Sequence, residues 1–262
     1  MSKEKMNQTK GYALIVGTIH GIDGKEPRKN EWRNELSVRV KTTKENTVFI
    51  KVGGFTSSPL AVKLKPQGME TADEIPMGEV ADVLADYFKD GDSVLVRCSV
   101  DINCYKEGRL DLVANGIYAC KEEIDFDSKD FEERNEVTIP MVVASKFNGN
   151  SLVARFVNYK GDTTDKILEA EYEPIKEYLK GAEVGDLIPI MMSFVSKPIY
   201  EEGDKKEEKS TTLMGRKLGK STKKIVGSDN KMVIIDIDVD KVVKGKYKLE
   251  EEEEVEDDDM PF

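Results

Sequence analysis

Residues 76–89 read PMGEVADVLADYFK and mark a change in the hydrophobic pattern of the chain. On both sides of this segment, over 35–41, 47–53 and 94–100, apolar and polar residues alternate, which predicts half-buried antiparallel strands. An apolar run at 11–18 and a segment at 109–120 add two further strands. Within 76–89 the apolar residues follow helical spacing instead, at Val80, Val83, Leu84, Tyr87 and Phe88.

The resulting order is three strands, a helix and two strands. This is the order of the five-stranded Greek-key barrel called the OB-fold, whose helix lies between its third and fourth strands. The second half follows the same plan more loosely. It has strand patterns at 136–145, 151–159, 187–199 and 232–239, with a helical segment at 173–180.

One local match links the two halves. Residues 87–89 (YFK) lead to Gly91-Asp92 and a strand, and residues 178–180 (YLK) lead to Gly185-Asp186 and a strand. We therefore predict a mainly β protein with short helices, built from two tandem OB-like domains and a disordered acidic C-terminal tail. The expected organisation is a disordered N-terminus at 1–10, domains at 11–121 and 136–245, an acidic linker at 122–135, a long basic loop at 203–229 and the tail at 246–262.

The charge of the chain is unevenly distributed. The formal net charge is −11, but residues 250–259 hold nine acids and no base, and residues 122–136 carry a net −6. Taking these fifteen negative charges away leaves +4 for the remainder. The predicted domains are therefore mildly basic, which is compatible with a polyanionic ligand.

Several side chains of the first domain suit single-stranded nucleic acid, which needs cations for its phosphates and exposed aromatic faces for its bases. Phe49 lies on the polar face of its strand, and Trp32 lies in a charged loop; each ring either stacks on a base or packs on the barrel. Tyr105 and Phe55 carry the same two interpretations. The candidate residues of this domain are Arg28, Lys29, Trp32, Arg33, Arg39, Phe49, Lys51, Phe55, Tyr105, Lys106 and Arg109.

A second basic feature lies where the second domain would place the loop between its last two strands. Residues 205–224 hold eight bases against two acids. Such loops of OB-folds bind oligonucleotides, and the alternative is a flexible solvated loop. The candidate phosphate-binding residues are Lys205, Lys206, Lys209, Arg216, Lys217, Lys220, Lys223 and Lys224.

The C-terminal residues read EEEEVEDDDMPF, an acidic run that ends in an apolar tripeptide. This ending resembles the tail of the bacterial and phage single-stranded-DNA-binding proteins, which closes on DDD, an apolar residue, Pro and Phe. Residues 87–109 (YFKDGDSVLVRCSVDINCYKEGR) are also similar to the end of the helix, the fourth strand and the Tyr-containing hairpin of that family. The sequence departs from the family at Met260, where Ile is usual, and in its short, highly charged tail.

The resemblance implies a protein that coats single-stranded DNA largely without sequence preference during replication, recombination or repair. It also implies that the tip recruits partner enzymes of those processes through Asp257, Asp258, Asp259, Met260, Pro261 and Phe262. Phosphate tracking and base stacking serve RNA as well as DNA. The alternative is a non-enzymatic adaptor or inhibitor, whose acidic tail mimics nucleic acid and occupies a partner's DNA groove.

Other classes of protein are poorly supported. One His and three Cys without a CxxC pair supply neither a triad nor a zinc site, so we expect no enzyme activity, no metal and no cofactor. No apolar run reaches the ~20 residues needed to span a bilayer. We expect a cytoplasmic protein, in bacteria or in the host of a phage, and leave open whether it forms a homo-oligomer.

Overall fold

The computed structural model describes residues 6–104, 108–201 and 224–249. Within these ranges the chain forms strands and two short α-helices. In chain order they are β1 Gly11–His20, β2 Arg28–Lys29, β3 Arg33–Lys41, β4 Thr47–Phe55, β5 Ala61–Lys65, β6 Asp73–Pro76, α1 Val80–Tyr87, β7 Ser93–Asn103, β8 Arg109–Ala119, β9 Asn135–Val143, β10 Ser151–Val157, β11 Thr163–Ala170, α2 Glu173–Lys180, β12 Leu187–Glu201 and β13 Lys224–Ile237.

Strands β1, β3, β4, β7 and β8 close into the first barrel. β1 pairs antiparallel with β3 and β7, β3 pairs with β4, and β7 pairs with β8. Parallel pairing of Ile50 with Leu112 joins β4 to β8 and completes the ring. The predicted alternation is confirmed, since Val38, Val40 and Ile50 are fully buried. With α1 before the fourth barrel strand, this is the OB-fold topology.

Strands β9 to β13 form a second barrel with the same connections. β9 pairs antiparallel with β10 and β12, β10 with β11, and β12 with β13, while β11 and β13 pair in parallel. α2 lies between the third and fourth strands, as α1 does in the first barrel. The prediction of two tandem OB-like domains is thus confirmed.

The two Gly-Asp pairs of the local sequence match occupy the same place in their barrels. The backbone of Gly91-Asp92 forms two hydrogen bonds with Ile19 at the end of β1, of 2.8 and 2.9 Å. The backbone of Gly185-Asp186 forms the same two bonds with Val143 at the end of β9, also of 2.8 and 2.9 Å. Both glycines have positive φ, +98° and +92°, where a residue with a Cβ would be strained. The short match is therefore a structural repeat.

The barrels are joined through their first strands. Residues 12–15 of β1 pair antiparallel with residues 135–138 of β9, so the sheet continues from one barrel into the other. The N-terminal segment, which precedes β1, also contacts the second barrel. Thr9 is buried and exchanges hydrogen bonds with Val157 of β10, through its backbone N–H and through its hydroxyl. The prediction of a disordered N-terminus is wrong for Thr9, because the second barrel supplies partners for its backbone and its hydroxyl.

The loops of the two barrels contact each other reciprocally. A Cβ built on Gly108, beside the β7–β8 connection, would lie 1.8 Å from Thr164 Oγ1 at the start of β11. On the other side, Asn46 in the β3–β4 turn donates to the Phe194 carbonyl of β12 (3.0 Å) and accepts from the Ser196 N–H (2.8 Å). In each case the turn between the second and third strands of one barrel meets the last hairpin of the other.

Two other predicted boundaries differ from the structure. Tyr247, assigned to the tail, is 7% exposed, and its N–H donates to the Gly185 carbonyl, so the second barrel extends to this residue. Lys224, assigned to the basic loop, begins β13, whose pairing with β12 runs as far as Glu201. Among the described residues no helix is long and apolar enough to cross a membrane.

Candidate nucleic-acid interface

The outer surface of β3 and β4 carries five of the eleven predicted residues of the first barrel, namely Arg33, Arg39, Phe49, Lys51 and Phe55. Because side chains alternate along a strand, one set points into the core and the other forms what we call the β3–β4 face. The cross-strand pairs of this face are Arg33 with Phe55, Glu35 with Gly53, Ser37 with Lys51 and Arg39 with Phe49.

Each end of the β3–β4 face presents an aromatic ring opposite an arginine. Phe49 is 60% exposed and lies directly across from Arg39. Phe55 is 57% exposed, and the guanidinium carbon of Arg33 lies 5.1 Å from its ring centroid. More than half of each ring is therefore accessible to a ligand. An exposed ring beside a guanidinium can stack on a base while the cation meets a phosphate.

Acidic neighbours partly neutralise the cations of this surface. Lys51 Nζ lies 2.7 Å from Asp111 on β8, and Arg33 Nε lies 2.9 Å from Glu35. Lys29 pairs with Asp82 of α1 at 2.7 Å. In contrast, Arg28, Arg39 and Arg109 form no ion pair with any residue that the structure describes, and all three are exposed. A phosphate bound by any of these three arginines would therefore not break an ion pair among the described residues.

Trp32 lies one residue beyond the Arg33–Phe55 pair. Its indole is 72% exposed, so the alternative of a ring folded back onto the barrel is wrong. Its backbone is fixed, because its N–H donates to Asn30 Oδ1 (3.0 Å) and its carbonyl accepts from Thr56 N–H (2.9 Å). A shallow cleft of about 210 Å³ lies along the same loop and includes Arg28 and Lys51 in its walls. The loop thus presents Trp32 at the rim of the β3–β4 face.

The corresponding face of the second barrel is chemically different. A backbone hydrogen bond between residues 42 and 46 closes the β3–β4 turn. Arg39 lies three residues before this turn and Phe49 lies three residues after it. The β10–β11 turn is closed in the same way between residues 158 and 162. Arg155 lies three residues before it and Asp165 lies three residues after it. These two form a bidentate ion pair with both N–O distances at 2.7 Å.

The face of the second barrel also carries Val153 opposite Ile167, which is 64% exposed, and Ser151 opposite Glu169. It therefore offers no aromatic ring, and its arginine is neutralised by Asp165. The two barrels therefore share a topology but differ in the chemistry of this face.

The other predicted residues lie in the parts of the chain that the structure does not describe, apart from Lys224, whose backbone begins β13. Sequence reasoning missed Tyr159 and Lys160, which form the exposed tip of the β10–β11 turn. Their signal was available as an aromatic and a base directly before a Gly-Asp turn. The residues outside the described ranges are Tyr105, Lys106, Lys205, Lys206, Lys209, Arg216, Lys217, Lys220, Lys223 and the tip at 257–262.

The cysteines are held as neutral thiols. Burial raises the pKa of Cys98 to about 12, and burial also raises the pKa of Cys120. The pKa of Cys104 is raised by burial and by the Asp162 and Asp101 carboxylates. Protonated thiols are poor nucleophiles and poor metal ligands. Within the described ranges no three His, Cys, Asp or Glu residues lie together in a geometry that could hold a metal ion.

Comparison with known proteins assigns the chain to a family. The model of the YorF family matches residues 9–257, so the chain belongs to this family. Its fold is similar to the crystal structure of a deletion mutant of the single-stranded DNA binding protein from Thermus aquaticus, at 10% identity and a TM-score of 0.42, covering 95% of this chain and 97% of that one. The wild-type Thermus aquaticus protein is similar at 14% identity and a TM-score of 0.38, with 73% of this chain and 86% of that chain covered. No curated protein matches the sequence.

Proposed function

We propose that this protein binds single-stranded DNA through the β3–β4 face of its first barrel, largely without sequence preference. The observation that carries the proposal is the pairing of exposed rings with arginines, Phe49 with Arg39 and Phe55 with Arg33. Stacking on a ring and neutralisation of a phosphate are both indifferent to base identity. The protein would act as a coat for exposed strands in replication, recombination or repair rather than as an enzyme.

The arrangement of the loops supports the same proposal. Trp32 extends the row of exposed rings beyond Phe55, and Arg28 and Arg109 lie in or beside the two connections that commonly contact oligonucleotides in OB-folds. A strand lying across the β3–β4 face would therefore meet cations at both sides of the barrel. RNA offers the same phosphates and bases, so a preference for DNA is part of the proposal.

We further propose that residues 257–262 recruit replication, recombination or repair proteins. Phe262 after Pro261 supplies an aromatic anchor, the acids at 257–259 supply carboxylates, and a small pocket rimmed by Lys or Arg suits both. The second candidate function is an adaptor or inhibitor whose acidic tail occupies a partner's DNA groove. The nine acids of residues 250–259 favour that alternative, whereas the exposed rings of the first barrel favour DNA binding.

A fluorescence titration with oligo-dT at low salt tests the proposal. Trp32 is the only Trp of the chain, and its exposed indole should lose fluorescence when a base stacks on it. Binding should weaken as salt is added, because phosphate contacts release counterions. If oligo-dT causes no quenching and no change in fluorescence anisotropy of a labelled strand at low salt, the DNA-binding proposal fails and the adaptor remains.

A further inference from the structure

The β10–β11 turn of the second barrel is an ordered platform for one aromatic ring. Asn158 closes it, since its N–H donates to the Asp162 carbonyl (2.9 Å) and its Oδ1 accepts from the N–H groups of Lys160 (2.8 Å) and Asp162 (2.9 Å). Gly161 has a φ of +89°, as the turn requires. At the tip the Tyr159 ring is 71% exposed, with Lys160 Nζ 5.5 Å from its centroid.

This turn lies against the last hairpin of the first barrel. The close approach of Gly108 to Thr164 brings the start of β8 to the start of β11. Cys104, which follows β7, lies near the β10–β11 turn. Burial raises the pKa of its thiol, as does the Asp162 carboxylate, and a hydrogen bond with the Asn158 backbone lowers it. Tyr159, beside Asn158, is therefore next to the hairpin although it belongs to the other barrel.

The hairpin leads back to the β3–β4 face. Arg109 and Asp111 are two residues apart and share one face of β8, and Asp111 accepts from Lys51 Nζ of the β3–β4 face at 2.7 Å. Exposed or half-buried side chains thus continue from Phe49 and Lys51 over Asp111 and Arg109 to the β10–β11 turn. Polar and aromatic side chains therefore line the surface along this path from the first barrel to the second.

A cleft of about 240 Å³ opens between the N-terminal segment and the β10–β11 turn, and Tyr159 is one of the residues that line it. Asn7, Gln8 and Asn158 contribute to its walls together with Met6, Tyr159 and Gly161. Amide groups offer both donors and acceptors, so the cleft can accept the polar edge of a base whose face lies on the ring.

We propose that Tyr159 and Lys160 form a second contact for single-stranded DNA. The DNA strand leaves the β3–β4 face over Asp111 and Arg109 of β8, and one of its bases stacks on the tip of the β10–β11 turn. This inference rests on the proposed function, because it continues the same strand. The second barrel then binds DNA through this turn and not through its own strand face, where Asp165 neutralises Arg155.

The test compares oligo-dT of two lengths. One OB-fold covers about 4–16 nucleotides, so an oligonucleotide of about 8 tests the first barrel alone and one of about 30 reaches the second. Tyr159→Ala should weaken binding of the long strand by about 5- to 150-fold, the equivalent of one stacked base, and leave the short strand unaffected. Tyr172→Ala is the matched control, because this ring of the same barrel is 65% exposed and lies next to α2, away from the path. It should bind both lengths as the wild type does.

A second measurement moves the only Trp of the chain to the proposed site. In the Trp32→Tyr, Tyr159→Trp protein, the long strand should quench the fluorescence and the short strand should not. Equal binding of the long strand by wild type and Tyr159→Ala, or equal weakening at both lengths, would overturn the inference and leave the first-barrel site intact. If wild-type protein binds neither length, the proposed function itself fails, and this inference fails with it.

Discussion

Ala13 of β1 and Val137 of β9 lie opposite each other in the antiparallel pair that joins the two barrels. Ala13 lies six residues before Ile19, whose backbone is hydrogen-bonded to the Gly-Asp pair of the first barrel. Val137 likewise lies six residues before Val143, which forms the same hydrogen bonds in the second barrel. The pair therefore joins equivalent positions and marks a pseudo-two-fold axis. The reciprocal contacts of Gly108 with Thr164 and of Asn46 with Phe194 lie on its two sides, as this symmetry requires.

Phe49→Ala should weaken oligo-dT binding by about 1–3 kcal/mol, because one stacking surface is lost while the barrel stays intact. Phe49 is 60% exposed, so its removal leaves no cavity in the core. Trp32 fluorescence or strand anisotropy measures the change. Ile167→Ala is the control from the equivalent face of the second barrel and should have no effect on affinity. Wild-type affinity in a folded Phe49→Ala protein would give this ring a structural role instead.

Neutralising four of the five bases Arg216, Lys217, Lys220, Lys223 and Lys224 should flatten the salt dependence of DNA binding. Each phosphate contact on a single strand contributes about −0.7 to the slope of log K against log salt. Titrations at several salt concentrations measure that slope. Neutralising Lys176 and Lys180 on α2, where both pair with acids, is the control. A slope identical to that of the wild type would mean that the basic stretch is solvated and does not touch DNA.

Deleting Phe262 should separate recruitment from DNA binding. The Phe262 ring is the expected anchor in a partner's pocket, and buried aromatic anchors contribute about 2 kcal/mol or more. We expect oligo-dT affinity to stay nearly constant while replication or repair proteins are no longer pulled down from a lysate.

Deleting residues 250–262 should also abolish the pull-down and, in addition, tighten DNA binding at low salt. The nine acids compete with DNA for cations, and this competition fades as salt screens it. A pull-down that survives the loss of Phe262 would show that the tip does not recruit.

Asp186→Asn should destabilise the second barrel at neutral pH by about 1–3 kcal/mol, the effect of breaking a buried hydrogen-bonded group. Burial disfavours the charged form of Asp186, but hydrogen bonds from the Glu183 N–H, the Lys244 ammonium and the Gly245 N–H outweigh it, and the net pKa is lowered. A carboxyl whose folded pKa is lower than its unfolded pKa stabilises the protein above the unfolded value, and this stabilisation is lost as the pH falls through the folded pKa.

The difference in the free energy of unfolding between wild type and Asp186→Asn should therefore shrink below about pH 4. Urea unfolding at a series of pH values measures it. Asp92→Asn provides the matched control, since Asp92 has the same place in the first barrel but is exposed and accepts a backbone N–H from Lys89 alone. A pH-independent difference would mean that the carboxylate charge of Asp186 is not the stabilising feature.

Period-two patterns predicted β3, β4 and β7 of the first barrel. Over β3 and β4 the alternation predicted the strands and the face to which Phe49 belongs, but it left open how far the Phe49 ring packs on the barrel. The helix at 173–180 was predicted with its observed bounds; Pro174 suits its first turn, and Gly181 follows its last residue.

Strand β11 was missed for the opposite reason. Its sequence, TTDKILEA, buries Thr164 and exposes Ile167, so polarity does not alternate with burial. Thr164 is buried by Gly108 of the other barrel, a contact that no local pattern reveals. The proposed contact at Tyr159 was not predicted, because it depends on the neighbouring β8 strand, which is distant in sequence, and a local sequence pattern does not reveal such proximity.

The ion pair of Arg155 with Asp165, at the positions that Arg39 and Phe49 hold in the first barrel, exists in only one half of the molecule. In a dimer of identical chains every substitution appears twice, once on each side of the axis. Here a single polypeptide contains both halves, so a residue that abolishes stacking on one side leaves the other side untouched. Their association is also intramolecular and does not weaken on dilution. The two barrels are thus arranged as in a symmetric dimer, but their surface residues can differ because both barrels belong to one chain.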